Sequence, residues 1–223
     1  MSKPELSVQT FTLGQWQTNC FVLAVGKSCW IVDAGFDPEA MLDAIDAQGL
    51  EVEQVVLTHA HLDHIAGLHM VRHRHRDVPI LIHADEESFL TDTRLNLSAA
   101  IAEPVVAPEA TGLIHHGEQI ELNGVAFEIR HTPGHSPGGI TLIQHETNLV
   151  IVGDTLFAGS IGRHDFPTSD GPRLMQSINE QLMTLPDEMQ VLPGHGPATT
   201  IGQERATNPF LNQPTASPDG FAG

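Results

Sequence analysis

Seven histidine and aspartate residues, in four separate parts of this chain, have the chemistry of metal ligands. Four lie in the run Thr58-His-Ala-His-Leu-Asp-His64, and three follow singly much later. The full set is His59, His61, Asp63, His64, His135, Asp154 and His195. Imidazole nitrogens and carboxylate oxygens without a thiolate suit zinc, iron or manganese, and are more typical of a catalytic site than of a structural zinc site. The pattern therefore predicts a metal centre capable of hydrolysis.

The His-x-His-x-Asp-His spacing predicts how the first four side chains divide between two ions. After a strand ends, a tight loop can point alternate side chains the same way, so His59 and His61 are expected to bind one ion. Asp63 and His64 lie where the next helix begins and are expected to turn toward a second ion. A single histidine in a loop is usually solvated, but four metal-capable residues within six positions rarely arise by chance.

Each of the three later residues follows a strand or lies in a rigid loop. His135 and His195 lie in Thr132-Pro-Gly-His-Ser-Pro-Gly-Gly139 and Leu192-Pro-Gly-His-Gly-Pro197, where glycine and proline favour sharp turns. Asp154 ends the apolar run 149–153, and a carboxylate there is unfavourable unless a positive charge meets it. We expect it to bridge two ions roughly 3.5–4 Å apart, which would activate a water molecule as the nucleophile.

A rigid sheet is needed to bring these segments together. The apolar pattern predicts strands at residues 6–13, 19–25, 28–32, 52–57, 79–83, 118–122, 125–131, 140–144, 149–152 and 190–192. It also predicts helices at 38–48, with Asp37 as N-cap, at 65–76 and at 172–185, with one or two further helices and a loop within 84–110. This order indicates an α/β fold of two mixed sheets packed face to face with helices outside. One domain is expected over residues 1–211, and the Pro-, Ser- and Gly-rich tail 212–223 is expected to fray.

The bulk composition disfavours some partners. Ten Lys and Arg residues against 28 Asp and Glu give a formal net charge of -18, which repels nucleic acid. No secretion signal and no run of roughly 18 apolar residues is recognised, so a cytoplasmic protein without a membrane partner is expected. Cys20 and Cys29 are predicted to be small buried free thiols.

The other histidines are predicted to be ordinary solvated side chains. His69, His73 and His75 lie near the end of a predicted helix, where a cation complements the helix dipole. The remaining six are His83, His115, His116, His131, His145 and His164. Among these, His131 is the one expected to contact the ligands, because it is close to the loop that contains His135.

These motifs resemble the metallo-β-lactamase fold superfamily, and within it the short, single-domain bacterial glyoxalase II enzymes (hydroxyacylglutathione hydrolases). The run 58–64 is the hallmark of the superfamily. Gly153-Asp-Thr-Leu-Phe157, the segment from Pro193 to Glu204 and Asn208-Pro-Phe210 are similar to glyoxalase II, and the likeness extends over about residues 10–210. It implies a four-layer αββα sandwich of two mixed β-sheets with outer helices. In that fold one metal would be held by His59, His61 and His135. A second metal would be held by Asp63, His64 and His195, and Asp154 would bind both.

The resemblance implies that the chain hydrolyses S-2-hydroxyacylglutathione, with S-D-lactoylglutathione as the expected substrate. A metal-bridging hydroxide would attack the thioester carbonyl, with Asp63 and Asp154 as catalytic residues, and D-lactate and glutathione would be released. Two divalent ions are implied. Zinc is the preferred assignment, and iron and manganese are the alternatives. The chain has no tyrosine, and it is expected to be of the short type, without the C-terminal helical domain with which longer relatives hold glutathione. Arg163 is a candidate contact for a substrate carboxylate, or else a salt-bridge partner of Asp165 or Asp170.

Other activities on the same fold stay open at this point. A persulfide dioxygenase would use a single iron held by His59, His135 and Asp154. A lactonase, a ribonuclease and a metal-binding module without turnover are further alternatives. The sequence does not indicate an oligomeric state.

Overall fold

Strands and short helices alternate along most of the chain in the computed structural model, which describes residues 5–212. The strands are β1 (Leu6–Leu13), β2 (Thr18–Val25), β3 (Ser28–Val32), β4 (Glu51–Val56), β5 (Ile80–His83), β6 (Gly112–Ile114), β7 (Gln119–Leu122), β8 (Val125–His131), β9 (Ile140–Gln144), β10 (Leu149–Gly153), β11 (Leu156–Phe157), β12 (Ser160–Ile161), β13 (Gln190–Pro193) and β14 (Thr199–Thr200). The α-helices are α1 (Glu39–Gln48), α2 (Leu62–Ile65), α3 (Leu68–Arg74), α4 (Gly171–Ser177) and α5 (Ile201–Thr207). A 3₁₀-helix spans Ala84–Leu90, and a π-helix, Ile178–Leu182, continues α4.

The strands form two mixed sheets of six strands each within residues 5–212, in the orders β1-β2-β3-β4-β5-β6 and β14-β13-β10-β9-β8-β7. In the first sheet β3 to β6 are parallel, so β3 and β4 end at the same edge. In the second sheet β8 and β10 both run antiparallel to β9, while β13 is parallel to β10. The strands β8, β10 and β13 therefore also end at one common edge, and the segments that follow them contain His135, Asp154 and His195.

Three buried apolar clusters hold the layers together. One lies between the sheets and includes Phe21, Trp30, Phe127 and Ile151. A second packs α1, α2 and α3 on the outer face of the first sheet, and a third packs α4 and the π-helix on the outer face of the second. Both faces of each sheet are covered, which explains why β2, β9 and β10 are buried along their whole lengths. The predicted four-layer αββα sandwich is confirmed.

The predicted start of the first helix was wrong. Asp37 has a left-handed backbone with a φ of 54°, whereas a side chain that caps a helix usually belongs to a residue with an extended backbone. Pro38 is the N-cap instead and makes no side-chain capping bond. The predicted end is confirmed, because Gly49 adopts the left-handed conformation of a helix C-cap.

The helix predicted over residues 65–76 is also corrected, because α2 already ends at Ile65 and a separate helix, α3, spans only Leu68–Arg74. Gly67 separates them and donates its backbone N–H to the carbonyl of Ala34. A Cβ atom at Gly67 would overlap the carbonyl oxygen of Gly35. The chain therefore passes directly against the turn after β3, and a longer side chain would prevent this approach.

The remaining predictions concern the cysteines, membrane spans and the domain boundary. Cys20 and Cys29 are buried and free, as predicted. No helix in residues 5–212 combines the length and the apolar character that a membrane span requires. The single-domain boundary at residue 211 stays a prediction, and all of the tail predicted to fray except Asn212 lies outside the described residues.

Candidate metal centre

The two sheet edges bring all seven predicted ligands to one place. His59, His61, His64 and His135 are buried, while Asp63, Asp154 and His195 are partly exposed at the surface of a cavity. The run 59–64 follows the end of β4 in the first sheet, and the other three residues follow β8, β10 and β13 in the second. The expected convergence of distant segments is therefore present in the fold, and the role of each residue as a ligand stays a prediction.

The first group of donors contains His59, His61 and His135. One nitrogen from each ring lies within 4.8 Å of the others, and Nδ1 of His61 is 2.9 Å from Nε2 of His135. Two nitrogens that bind one tetrahedral ion at about 2.1 Å are themselves roughly 3.4 Å apart. The three rings are therefore close enough to share an ion.

The second group contains Asp63, His64 and His195, with donor atoms that also lie within 4.8 Å of one another. Oδ2 of Asp63 is 3.1 Å from Nε2 of His195 and 3.6 Å from Nε2 of His64. The same oxygen accepts a hydrogen bond of 2.8 Å from the hydroxyl of Thr18. This bond holds the carboxylate in the orientation that faces both imidazoles.

Asp154 lies between the two groups and faces both. Its Oδ1 is 3.6 Å from Nε2 of His64, and its Oδ2 is 3.5 Å from Nε2 of His135 and 3.5 Å from Nε2 of His195. A carboxylate in this position can give one oxygen to each of two ions. The bridging role of Asp154 stays a prediction.

Hydrogen bonds on the far side of three imidazoles orient their donor atoms toward the centre. Nδ1 of His64 lies 2.8 Å from a carboxylate oxygen of Asp33. Nδ1 of His135 lies 2.8 Å from the carbonyl of Arg163, and Nδ1 of His195 lies 3.1 Å from the carbonyl of Trp16. Because these oxygens accept hydrogen bonds, each Nδ1 donates its proton, and Nε2 is the atom that faces the centre and can bind an ion when the imidazole is neutral. These are the pairings expected behind metal-binding histidines.

Several buried polar atoms at the centre have no hydrogen-bond partner among the described residues. They are Nε2 of His59, His61 and His64 and Oδ1 of Asp154. Buried polar atoms without a partner are costly and require an explanation, and a bound ion is one. Burial lowers the pKa of His59 and His61, which favours the neutral imidazole that a metal needs. The donor set therefore fits a divalent-metal site.

Asp33 is a part of this centre that was not predicted from the sequence. It is fully buried directly after β3. Its carboxylate accepts bonds of 2.7 Å from both the backbone N–H and the hydroxyl of Thr58, in addition to its bond with His64. The same reasoning that identified Asp154, an acidic residue directly after an apolar strand, could have identified Asp33.

The second strand holds the loop that contains His195. Asn19 donates its backbone N–H to the carbonyl of Gly194 at 2.7 Å. Its side-chain amide donates to the carbonyls of Pro193 and Gly196 at 3.0 and 2.9 Å, and Thr18 forms a β-bridge with His195. The position of the last predicted ligand therefore depends on contacts with the N-terminal part of the chain.

Glu86 connects two of the loops that contain predicted ligands. It is fully buried; its Oε2 accepts the backbone N–H of Ala60 at 2.5 Å, and its Oε1 accepts that of Gly138 at 2.7 Å. Ala60 lies between His59 and His61, and Gly138 follows the loop residue His135. One carboxylate thus fixes the relative position of a loop from each sheet.

Replacement of Glu86 by Ala is expected to lower the free energy of unfolding by about 3–5 kcal/mol, because two buried N–H groups lose their acceptors and a cavity forms. Glu86→Gln keeps the size but brings an amide donor against a backbone donor, so we expect a loss of about 2 kcal/mol. Urea denaturation gives the free energy of unfolding of both variants. Glu87→Ala, at the exposed neighbouring position, is the control and should change stability by less than about 0.5 kcal/mol.

His83 is not the solvated side chain that was predicted. It is 7% exposed, its ring stacks on that of His131 with centroids 3.9 Å apart, and its Nδ1 accepts the backbone N–H of Asp85. A nitrogen from each histidine and a carboxylate oxygen of Asp85 lie within 4.8 Å of one another. His131 contacts the loop after His135, because its Nε2 lies 2.8 Å from the carbonyl of Pro137, but the described contacts do not join it to a predicted ligand.

The stability of the protein is expected to fall in acid because of His83. Burial, together with the neighbouring His131, lowers the pKa of His83 to about 4, whereas the unfolded chain keeps a value near 6.5. The unfolded state therefore takes up the proton first, and the free energy of unfolding decreases as pH falls from about 6.5 to about 4. Between pH 7 and 4.5 we expect the wild type to lose about 2 kcal/mol more than His83→Asn, which keeps an acceptor for Asp85. His73→Asn, at an exposed position on α3, should lose as much as the wild type, and identical losses in all three proteins would contradict the prediction.

A cavity of about 380 Å³ opens in front of the predicted ligands. Arg163 lies at its rim, and its Nε and Nη2 bind the two carboxylate oxygens of Asp165 at 2.9 and 3.2 Å. The guanidinium also lies 4.2 Å from the ring centroid of Phe166. The salt bridge to Asp165 that the sequence suggested is therefore present, and a contact of Arg163 with a substrate stays a prediction.

The chain is similar to several characterised or solved proteins. It is 36% identical over 211 residues to the hydroxyacylglutathione hydrolase GloC of Haemophilus influenzae, covering 93% of this chain and 99% of the relative. The crystal structure of the B3 metallo-beta-lactamase BLEG-1 matches with a TM-score of 0.88 and 36% identity, over 93% of this chain and all of that one. The structure of TTHA1623 in a di-iron-bound form matches with a TM-score of 0.82 and 35% identity, over 91% of this chain and all of that one.

These likenesses extend over both sheets and include the segments that contain all seven predicted ligands. The model of one protein family, described as the metallo-beta-lactamase superfamily, matches residues 13–195. The matched range begins in β1 and ends at His195. This chain belongs to the metallo-beta-lactamase superfamily.

Proposed function

We propose that this chain is a metal-dependent thioester hydrolase that converts S-2-hydroxyacylglutathione to a 2-hydroxy acid and glutathione. S-D-lactoylglutathione is the expected substrate, which would place the protein in methylglyoxal detoxification in the cytoplasm. One observation supports this most strongly: Asp154 lies between two groups of candidate donors and lines the cavity. The 36% identity to a relative named hydroxyacylglutathione hydrolase favours the thioester over other substrates.

In this proposal the centre holds two divalent ions, zinc first, with iron or manganese as alternatives. His59, His61 and His135 would hold one ion. Asp63, His64 and His195 would hold the other, and Asp154 would bind both. When bound, such a pair supplies Lewis acidity, which polarises a carbonyl and lowers the pKa of a coordinated water toward neutrality. The unpaired Nε2 atoms of His59 and His64 and the unpaired Oδ1 of Asp154 are the atoms that support this assignment.

The chain's own residues position the reactants and exclude competing groups. Asp63 lines the cavity and is held by the hydroxyl of Thr18, so its carboxylate can orient the attacking water. The residues behind the imidazoles, Asp33 and the carbonyl of Arg163 among them, hold the rings in one tautomer. Glutathione leaves as a thiolate, which is a good leaving group, so no strong general acid is needed beside the scissile bond.

The proposal is tested by a substrate panel with metal analysis of the same preparation. We expect hydrolysis of S-D-lactoylglutathione that disappears on chelation and returns when zinc, iron or manganese is added back. The panel also contains a lactone, a β-lactam, an RNA and glutathione persulfide. Oxygen consumption on the persulfide with one iron per chain would replace the proposal with a dioxygenase, and faster turnover of the lactone, β-lactam or RNA would replace it with that activity.

A further inference from the structure

The cavity in front of the predicted ligands has an apolar wall. Its members, which we call the apolar wall, are Trp16, Leu62, Leu97, Ile101, Phe157 and Phe166. The polar side chains of the cavity belong to the predicted ligands, apart from Arg163, which is already paired with Asp165. A substrate group that fills this space next to the ligands is therefore in contact mainly with carbon.

Leu97 is the least expected member of the apolar wall. Its φ is 67°, a left-handed backbone that is unfavourable for a branched side chain and is usual only for glycine, asparagine and aspartate. Such strain persists where the surrounding structure enforces it, and it is concentrated at functional sites. The strained backbone directs an isobutyl group to the cavity at a position where glycine or asparagine would be easier to accommodate.

The buried side chain of Asn96 enforces this conformation. Its amide nitrogen donates to the carbonyls of Phe89 and Val105 at 3.0 and 2.9 Å, and its amide oxygen accepts the N–H of Ser98. The backbone carbonyl of Asn96 accepts the N–H of Leu62 at 2.9 Å. Because Leu62 directly precedes Asp63, this bond holds Leu97 beside the predicted metal ligands.

The charge distribution indicates which part of a thioester contacts the apolar wall. Asp63 and Asp154 lie at the floor of the cavity, and the chain has a formal net charge of -18. Glutathione has two carboxylates and one ammonium, which need water or counter-charges and are costly to place against carbon. A bound glutathione would therefore extend toward solvent and the rim, and the space beside Leu97 would be left for the acyl group.

We propose that the apolar wall, with Leu97 as a specificity-determining residue, binds the alkyl chain of the acyl group. The preferred substrates are 2-hydroxyacyl thioesters with an alkyl chain longer than the methyl group of lactoyl. This inference rests on the proposed function for the identity of the reaction, but its central claim concerns affinity for an alkyl chain and can be measured without turnover.

The first test measures binding of the 2-hydroxy acids with three, four, five and six carbons to the metal-loaded protein, by calorimetry and by the fluorescence of Trp16. Burial of one methylene corresponds to about a threefold to fourfold gain in affinity. We therefore expect Kd to fall by about that factor for each carbon added. The kcat/KM values of the matching acylglutathiones should rise in parallel.

Variants at position 97 assign the preference to this side chain. Leu97→Asn has a similar size and is compatible with the left-handed backbone, so the fold is kept. It places an amide at the wall, so the dependence of Kd on chain length should become weaker, while the five remaining members of the apolar wall keep part of it. Leu97→Gly removes both the side chain and the backbone strain, and it should also weaken the dependence of Kd on chain length. Leu113→Asn is the matched control, because Leu113 is exposed on β6 outside the cavity, and it should keep the wild-type slope.

The results separate this inference from the proposed function. A wild-type affinity that is independent of chain length overturns the inference even if lactoylglutathione is hydrolysed. A wild-type slope that persists in folded Leu97→Asn and Leu97→Gly, as judged by thermal melting, overturns the role of Leu97. Chain-length-dependent binding without hydrolysis of any acylglutathione supports the apolar wall and removes the thioester reaction.

Discussion

Asp154→Asn should lower kcat/KM for thioester hydrolysis by about 10³-fold or more. Loss of a residue that only supports a metal ligand lowers metal affinity or activity by about 10–100-fold. Asp154 is expected to matter more, because it faces both donor groups, with one oxygen toward His64 and the other toward His135 and His195. The amide of asparagine has the same shape but lacks the charge and one of the two acceptor oxygens. The variant should therefore bind fewer than two ions per chain.

Metal content, turnover and thermal stability should be measured on one preparation of Asp154→Asn. Stabilisation by added metal should be smaller than in the wild type, because a ligand that binds only the folded state stabilises it in proportion to its affinity. Asp43→Asn is the control, since Asp43 is an exposed carboxylate paired with Arg74 on the protein surface, and it should keep full activity. An Asp154→Asn protein with two ions and unchanged turnover would show that this carboxylate does not hold the centre together.

Gly194→Ala should reduce activity by about 100-fold or more, the size of effect that a misplacement of about 1 Å can have on catalysis. A Cβ at this position would overlap Oδ1 of Asp154 and would lie 2.9 Å from Cε1 of His64. Either carboxylate or imidazole must then move away from the predicted ions. The loss would follow from lack of space alone, because Gly194 is not among the glycines with a left-handed backbone.

Gly196→Ala is a matched control in the same loop. A Cβ there meets no heavy atom within 4 Å, although the φ of 76° makes alanine unfavourable. We expect a stability loss of about 1–2 kcal/mol from the backbone and a kcat close to that of the wild type. Equal losses of activity in the two variants would mean that alanine is unfavourable in this loop because of the backbone conformation. Steric overlap with Asp154 would then not explain the effect at Gly194.

The sequence was sufficient to predict most strands of the two sheets and the seven candidate ligands. Apolar runs such as 149–153 are bounded by turn residues, and a carboxylate or histidine follows each of the strands that end at the site. The spacing within 58–64 places four donors in one short loop, so their proximity follows from covalent connectivity. The convergence of His135, Asp154 and His195 with that loop depended on the resemblance to a known fold.

What the sequence could not indicate were contacts made across the fold. The interruption between α2 and α3 results from the approach of Gly67 to Gly35, two residues with no local pattern in common. The burial of Glu86 and His83 depends on the loops packed over them, and a polar residue in a short segment is ordinarily exposed. The three-residue strand β6 and the helix α5 are too short for a periodic signal to separate them from loops.

The dependence of the His195 loop on Asn19 has a consequence for the order of events during protein synthesis. The bonds between Asn19 and residues 193 and 196 join positions 174 and 177 apart in the chain. A nascent chain on the ribosome therefore lacks the last predicted donor and its supporting strand contacts until residue 196 has emerged. The complete set of predicted donors can form only after that point, and a ribosome-stalled fragment ending before residue 195 contains at most six of the seven.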